Sequence, residues 1–246
     1  MMPFSPKLPM HSLMRPHGLS KAHAIDLAGL RFVPDLSGAL FAPALKALLV
    51  ADLHLEQGAA LARRGIAVPP YDTATTLDAL ERVIAATSPA LLYLLGDSFH
   101  DRQGHTLLEV NIVTRLRRIT DAIETIWISG NHDPTPKHGL GGVCVAEVVL
   151  AERIVLRHEP ARKLRKSFEI AGHLHPGAGV VQRGHMVRSK FFVSDPARIV
   201  LPAFGAYTGS LSVSSSAFAG LFNTEKASIH MLARDKIYRF PMIRVT

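Results

Sequence analysis

Leu48-Leu49-Val50-Ala51-Asp52-Leu53-His54 is a short apolar run that ends in a carboxylate and an imidazole. The pattern returns twice, at Leu91–Leu95 leading into Gly96-Asp97 and at Thr125–Ser129 leading into Gly130-Asn131-His132-Asp133. Apolar runs this short read as strands buried on both faces. Amphipathic segments lie between them. Thr75–Ala86 sets Leu77, Leu80, Val83 and Ile84 at helical spacing, and Leu107–Ile119 follows Thr106 as a candidate N-cap. Strand, helix, strand, helix, strand, with polar residues after each strand, predicts an α/β sheet whose functional groups gather at its carboxyl edge.

Upstream, Leu30–Val33 and Ala39–Ala42 read as a hairpin joined through Pro34-Asp35-Leu36-Ser37-Gly38. Beyond about residue 143 the pattern becomes strand after strand: Val143–Leu150, Ile154–Arg157, Phe168–Ala171, Gly179–Gln182, Phe191–Val193 and Ile199–Leu201. These predict a second sheet packed on the first. Gly205–Gly220, rich in Gly and Ser, reads as a loop, and Ile229–Leu232 with Ile237–Phe240 as a closing hairpin. Met1–His23 has the composition of a disordered tail, so residues 24–246 are expected to form one domain.

The 246 residues are 48% hydrophobic and 20% charged, the balance of a soluble globular protein. A formal net charge of +8 suits a polyanionic partner, DNA included. Cys144 is the only cysteine, which rules out an intramolecular disulfide and fits a reducing compartment. The N-terminal stretch lacks the continuous apolar core of a signal peptide, and the apolar stretch Gly38–Ala51 is short and interrupted by Pro43 and Lys46. A cytoplasmic protein without a membrane span is expected, and a homodimer is the assembly to test for.

The side chains at the predicted strand ends are those that bind hard or borderline divalent cations. An aspartate can bridge two metals, and Asp97, in the middle of the three loops, is the candidate for that place. Asp52 and His54, two residues apart, can turn to one cation; Asn131 offers a carbonyl oxygen to the other. His158 and Gly172-His173-Leu174-His175 add imidazoles from the later strands. Two cations about 3.5–4 Å apart lower the pKa of a bridging water towards about 7, and the resulting hydroxide can attack phosphorus in line. His132, held by Asp133, is the candidate general acid for the leaving oxygen. No Gly-x-Ser-x-Gly elbow and no glycine-rich Walker or dinucleotide loop appears. Oxygen and imidazole ligands without cysteine argue against a structural zinc site and suit Mn²⁺, Fe²⁺ or Zn²⁺.

In order, these clusters resemble the motif series of the calcineurin-like metallophosphoesterase superfamily, D-x-H, G-D, G-N-H-D/E, H and G-H-x-H, over about residues 47–176. The resemblance implies a four-layer α/β/β/α sandwich of two mixed sheets flanked by helices, with a dinuclear centre that is often Mn²⁺. It also implies that Asp52, His54, Asp97 and His175 hold one metal and Asp97, Asn131, His158 and His173 the other, with His132 at the substrate phosphate. A narrower match is to the ligase-associated DNA damage response endonuclease (PdeM) family. It rests on Val50–Glu56, Ala62-Arg63-Arg64-Gly65, Pro69-Pro70-Tyr71-Asp72-Thr73, His158-Glu159-Pro160 and Leu201–Gly209. Ser210 departs from it, standing where a second glycine is expected. Membership implies a phosphodiesterase that acts on DNA in repair, with a helicase and an ATP-dependent DNA ligase as functional partners.

Three functions compete: a metal-dependent DNA endonuclease, a small-molecule phosphoesterase acting on nucleotides or nucleotide-linked esters, and a binding subunit that keeps the fold without turnover. The complete ligand set disfavours the last. Candidate substrate contacts are Arg63, Arg64, His100 and the run Arg162, Lys163, Arg165, Lys166; a solvated loop is the alternative reading of that run.

Overall fold

A computed structural model describes residues 23–104, 108–134, 139–165, 167–182 and 185–244. Its first sheet is built from β1 (Ile25–Leu27), β2 (Leu30–Pro34), β3 (Leu40–Ala42), β4 (Ala47–Val50), β5 (Leu91–Leu95), β6 (Glu124–Ile128) and β7 (Val143–Val145), adjacent in chain order. β1 to β4 pair antiparallel through short connections, and β4 to β7 pair parallel through longer crossovers. The crossovers carry α1 (Gln57–Arg63) and α2 (Asp72–Thr87), then α3 (Val110–Ala122).

The second sheet comprises β8 (Glu147–Leu150), β9 (Ile154–Arg157), β10 (Phe168–Ala171), β11 (Gly177–Gln182), β12 (His185–Ser194), β13 (Arg198–Val200), β14 (Ser228–Leu232) and β15 (Ile237–Pro241). Its order is β15-β14-β12-β13-β10-β9-β8, with β11 paired to β12 outside that path. β9, β10 and β13 run parallel, so their carboxyl ends meet at one edge.

Alternation along each strand sorts the core into layers. Leu49, Ala51, Tyr93, Leu95 and Ile128 meet Leu156, Ile170, Phe192 and Ile199 between the sheets. Leu48, Val50, Leu92, Leu94 and Trp127 face the other way, against Leu77, Leu80 and Val83 of α2 and Ile112, Leu116 and Ile119 of α3. Each such side chain, fully buried, contributes roughly 1.5–3 kcal/mol. Arg115 ties the two helices together by pairing with Glu81 at 2.8 Å and Asp78 at 2.6 Å.

Several details differ from the sequence reading. Val143–Leu150 is two strands, one in each sheet; the chain crosses between sheets at Ala146, which apolar composition alone does not reveal. β1 and α1 were not anticipated, being too short to show a period. α3 begins at Val110, and Thr106 lies outside the described residues, as does the expected tail up to residue 22. Among the described residues, the outer face of the second sheet is covered by loop and single 3-10 turns rather than by an α-helix: Val213, Phe218, Leu221 and Phe222 pack on Phe191, Val193 and Ile229. The two-sheet sandwich itself is as expected. No helix among the described residues is long and apolar enough to cross a membrane.

The Arg198–Glu169 ion pair is fully buried. Arg198 and Glu169 are register partners on β13 and β10, with Nε–Oε2 at 2.6 Å. The Arg198 guanidinium also donates to Leu221 O at 2.7 Å and to Ala161 O, and Ala161 N donates to Glu169 Oε1 at 3.0 Å. The pair thus anchors the segment after His158 to the strand that carries His173 and His175. Arg198→Met, which leaves Glu169 buried with only Arg157 nearby at 3.3 Å, should cost about 3–5 kcal/mol, read as a lower urea midpoint. Replacing Glu169 by Met as well should recover part of that loss, because no unpaired carboxylate then remains.

Candidate metal centre

The carboxyl ends of β4, β5 and β6 lie side by side because Val50 pairs with Leu94 and Leu95 with Ile128. In the second sheet Ala171 pairs with Arg157, so His158 and Gly172 are neighbours, with Gly172 N donating to His158 O at 3.0 Å. The two edges face each other, and the ligand loops turn back sharply from them. Asp52, His54, Asp97, His173 and His175 all take left-handed backbone, with φ between 43° and 69°. That region costs a non-glycine residue roughly 1–2 kcal/mol, although Asp and His visit it more often than most. Backbone hydrogen bonds hold it: Asp52 N to Gly96 O at 3.2 Å and His54 N to Asp97 O at 2.9 Å.

The motif glycines answer to close approach. A Cβ on Gly96, itself at φ 77°, would overlap the His158 ring, and one on Gly130 would overlap Asp97 Oδ1. Neither site admits a side chain while the ligands stay in place.

Two ligand sets result, Asp52 with His54 and His175, and Asp97 with His158 and His173, each with ligand atoms within 4.8 Å of one another. In the first, His175 Nε2 lies 3.3 Å from His54 Nε2 and 3.5 Å from Asp52 Oδ1. In the second, His158 Nε2 lies 2.8 Å from Asn131 Oδ1, 3.0 Å from His173 Nδ1 and 3.3 Å from Asp97 Oδ2. Asp97 Oδ2 is also 3.9 Å from His54 Nε2, and so stands between the sets. Its other oxygen accepts His132 N at 2.8 Å, which fixes the carboxylate in that bridging pose.

The chemistry of these atoms fits a cation in each set. His158 Nδ1 lies 3.1 Å from Leu95 O, which can only accept, so Nδ1 carries the proton. Its Nε2 faces Asn131 Oδ1, and that pair calls for positive charge between the two atoms, supplied by a proton on the ring or by a cation that displaces it. Asp52 Oδ1 is buried and accepts no hydrogen bond among the described residues, a costly state for a carboxylate oxygen that a divalent ion would relieve.

The electrostatics point the same way. Burial disfavours the His158 cation, yet the Asp97 hydrogen bond and the Asp52 and Asp97 charges outweigh it and push its pKa up to about 9. Burial raises Asp97, but His158, the His132 amide and His54 bring it down to about 2. His54 is pushed down to about 4, chiefly by burial and against the pull of Asp52. Positive charge is therefore favoured at His158, beside the second set, and His54 is uncharged at neutral pH.

His132 is exposed at the rim, its ring 5.3 Å from that of His54 and 5.5 Å from that of His100. Here the structure corrects the sequence reading. His132 Nδ1 donates to His100 O at 2.7 Å, which leaves Nε2 as the ring nitrogen outside that bond. Buried Asp133 instead accepts the amides of Phe99 at 3.0 Å and Gly130 at 3.3 Å, and so shapes the loop under His132. The His100 ring stands 5.5 Å from that of His54, with its pKa held below the usual histidine value by burial and then by His132 and Arg64.

Arg63 pairs with Asp101, tying the end of α1 to the loop after Asp97, and Arg64 is exposed beside it. Arg162, Lys163 and Arg165 are exposed on the segment leading away from His158, Arg162 reaching Ala217 O at 3.5 Å; Lys166 lies outside the described residues.

Two supporting groups went unassigned from sequence. Thr73 Oγ1 accepts Glu56 N at 2.8 Å and Asp72 Oδ2 accepts Gly58 N at 2.9 Å, so the first residues of α2 brace the start of α1 just after His54. Their only sequence signal was family resemblance. The second is Lys190, whose ammonium lies beneath the Phe204–Gly205 peptide and donates to Gly205 O at 2.8 Å.

Comparison with known proteins agrees with this geometry. The model of the calcineurin-like phosphoesterase family matches residues 45–190. Among solved structures, a nuclease, MPE, from Pseudomonas putida superposes with a TM-score of 0.70 at 27% identity, covering 89% of this chain and 99% of that one. The E. coli phosphoesterase Yfce gives a TM-score of 0.38 at 15% identity, covering 80% of this chain and 98% of that one. An Aquifex aeolicus protein of unknown function gives 0.38 at 16% identity, covering 52% and 78%. No curated protein sequence matches. The family match spans the five ligand clusters and the strands that deliver them up to His175, so the chain belongs to the calcineurin-like phosphoesterase family and is a metal-dependent phosphoesterase.

Proposed function

We propose that this phosphoesterase cleaves phosphodiester bonds in DNA, as an endonuclease of DNA repair in the cytoplasm, with Mn²⁺ as the ion in both sets. What supports the reading is that exposed cationic side chains follow candidate ligands along the chain in both halves of the sandwich. Arg64 is exposed on the first-sheet side, and Arg162, Lys163 and Arg165 on the second-sheet side. A small substrate needs only the centre; a polyanion longer than one phosphate also gains from charges on its flanks. The formal net charge of +8 and the likeness to a nuclease at 27% identity support the same substrate. A helicase and an ATP-dependent ligase are the partners such a role implies.

Divalent ions held there supply a Lewis acid for the phosphoryl oxygens and lower the pKa of bound water towards about 7. Asp97 Oδ2, 3.3 Å from His158 Nε2 and 3.9 Å from His54 Nε2, would be within reach of an ion in either set. His132, its Nδ1 tied to His100 O, presents Nε2 to the leaving oxygen and, as the imidazolium, donates the proton that departing oxygen needs.

Turnover of plasmid DNA, a nitrophenyl diester and a nitrophenyl monoester with added Mn²⁺ tests the reading. DNA and diester cleavage is expected; monoester turnover alone would point to a small-molecule phosphoesterase.

Asp97→Ala should abolish turnover and lower bound Mn²⁺, because it removes a ligand from both sets; two ions still held tightly by that variant would refute the bridging role. His132→Ala should keep both ions and lose about 10²–10⁴-fold in rate on an alkyl diester, the scale of a general acid. Its loss on a nitrophenyl diester should be smaller, since that leaving group departs without a proton. Changing Arg162, Lys163 and Arg165 together to Gln should weaken DNA binding whatever the sequence. It should also flatten the plot of log affinity against log salt by roughly 0.7–0.9 per lost phosphate contact. Hydrolysis of the small diester is the control and should stay at the parent rate.

A further inference from the structure

Lys190 lies in β12 opposite Gly177, two residues beyond His175. Its ammonium donates to Gly205 O at 2.8 Å and approaches Phe204 O at 3.5 Å. Burial pushes its pKa down to about 8, against the pull of Asp52. No carboxylate among the described residues pairs with it. An ammonium withdrawn from water costs free energy that a side chain of similar length without charge, such as Met, would not. Its two carbonyl partners show what the charge is used for.

Those carbonyls belong to the segment 204–211, which touches the backbone of the first ligand set at both ends. Phe204 N donates to Ala51 O at 2.8 Å and Gly205 N to Asp52 O at 3.1 Å. At the far end Leu211 N donates to His175 O at 2.9 Å, and Gly177 N returns a bond to Leu211 O at 3.1 Å. Between these ends Ala206 N is held by Thr76 Oγ1 at 3.1 Å, and Thr208 Oγ1 donates to Gly205 O at 2.7 Å. Gly205 packs so closely on Leu53 O that a Cβ would overlap it. The segment is thus a strap from Asp52 to His175, two residues whose left-handed backbone needs outside support. No backbone hydrogen bond between residues 204–211 and Asp97, Asn131, His158 or His173 occurs among the described residues.

We propose that Lys190 is a positioning residue for the first metal set alone: by fixing the Gly205 carbonyl it holds the strap that aims Asp52 and His175 at one cation. This rests on the reading of Asp52, His54 and His175 as metal ligands. The side chain touches none of the reacting atoms and acts through the backbone of two ligands. Outer groups of this kind typically change metal affinity by about 10–100-fold.

Calorimetric titration of the chelator-treated full-length protein with Mn²⁺ alone tests the assignment. The parent should bind two ions; if it binds none, the metal reading itself fails, separately from this proposal. Lys190→Met should bind one ion as the parent does and the other about 10–100-fold more weakly, with turnover restored by excess Mn²⁺. Lys190→Arg, which keeps the charge and the donors, should recover most of that affinity. In His54→Ala, where the first set is already lost, adding Lys190→Met should change nothing further, as expected of two groups serving one site. Two ions bound by Lys190→Met with parental affinity would overturn the proposal, as would equal weakening of both ions. An increase in KM for a diester with metal binding intact would also overturn it, and would assign Lys190 to substrate instead. Should Lys190→Met fail to fold, Thr208→Val removes the other side-chain donor to Gly205 O. It should give a smaller loss at the same ion, and no loss there would count equally against the strap.

Discussion

Nitrogen and oxygen atoms of seven polar side chains converge at one end of this sandwich, some at 2.8–3.3 Å, and the surrounding strands keep them there. Left to itself such a cluster would relax outward into water. It stays because each ligand follows a strand whose neighbours are fixed by ladder hydrogen bonds and by apolar side chains on both faces. Parallel pairing supplies the direction, bringing several strands to their carboxyl ends at a common level. A cation bound there would satisfy the converging donor atoms, and the rigidity that keeps them together would be the rigidity that fixes its geometry.

The loops show what this costs. Five ligands adopt backbone that L-residues avoid, and the chain holds each one from the side. Asp52 and His54 are bracketed by Gly96–Ser98 on one flank and by the strap from Phe204 on the other. His173 N donates to Asp52 Oδ2 at 2.9 Å, so one ligand's carboxylate orients another ligand's backbone. Strain of this sort persists only where surroundings over-determine the conformation, and here hydrogen bonds and steric exclusion at the glycines do so together.

Much of this was legible in the residues. Uninterrupted apolar runs ending in Asp, His or Asn state both where strands stop and what stands beyond them, and β5, β9 and β10 fall on the expected residues. What escaped depended on contacts between distant parts of the chain. Val143–Leu150 carries no mark of changing sheets at Ala146, because both halves are equally apolar. His132 and Asp133 are adjacent in sequence, which suggested a hydrogen bond, but the turn sends the carboxylate to the Phe99 amide and the ring to the His100 carbonyl. Lys190 sits in an unremarkable stretch, Ser189-Lys190-Phe191, and only the return of residues 204 and 205 beneath Asp52 gives it partners. Left-handed φ at Asp52 or His175 has no sequence signal of its own, since glycine is the residue that would advertise it.

The passage of the chain from one sheet to the other has a mechanical consequence. Asp52, His54, Asp97 and Asn131 hang from the first sheet, whereas His158, His173 and His175 hang from the second. A cation held by either set would therefore be a rivet driven through two plates. Any slip of one sheet over the other would then stretch coordination bonds at the edge, and any change in the spacing of the plates would be felt at the rivets. By reciprocity, ions that bind the aligned sandwich better than a slipped one must favour alignment to the same degree. A side chain such as Phe192, in the middle of the sandwich with no ligand nearby in sequence, then acts as a shim that sets the gap the metals must span.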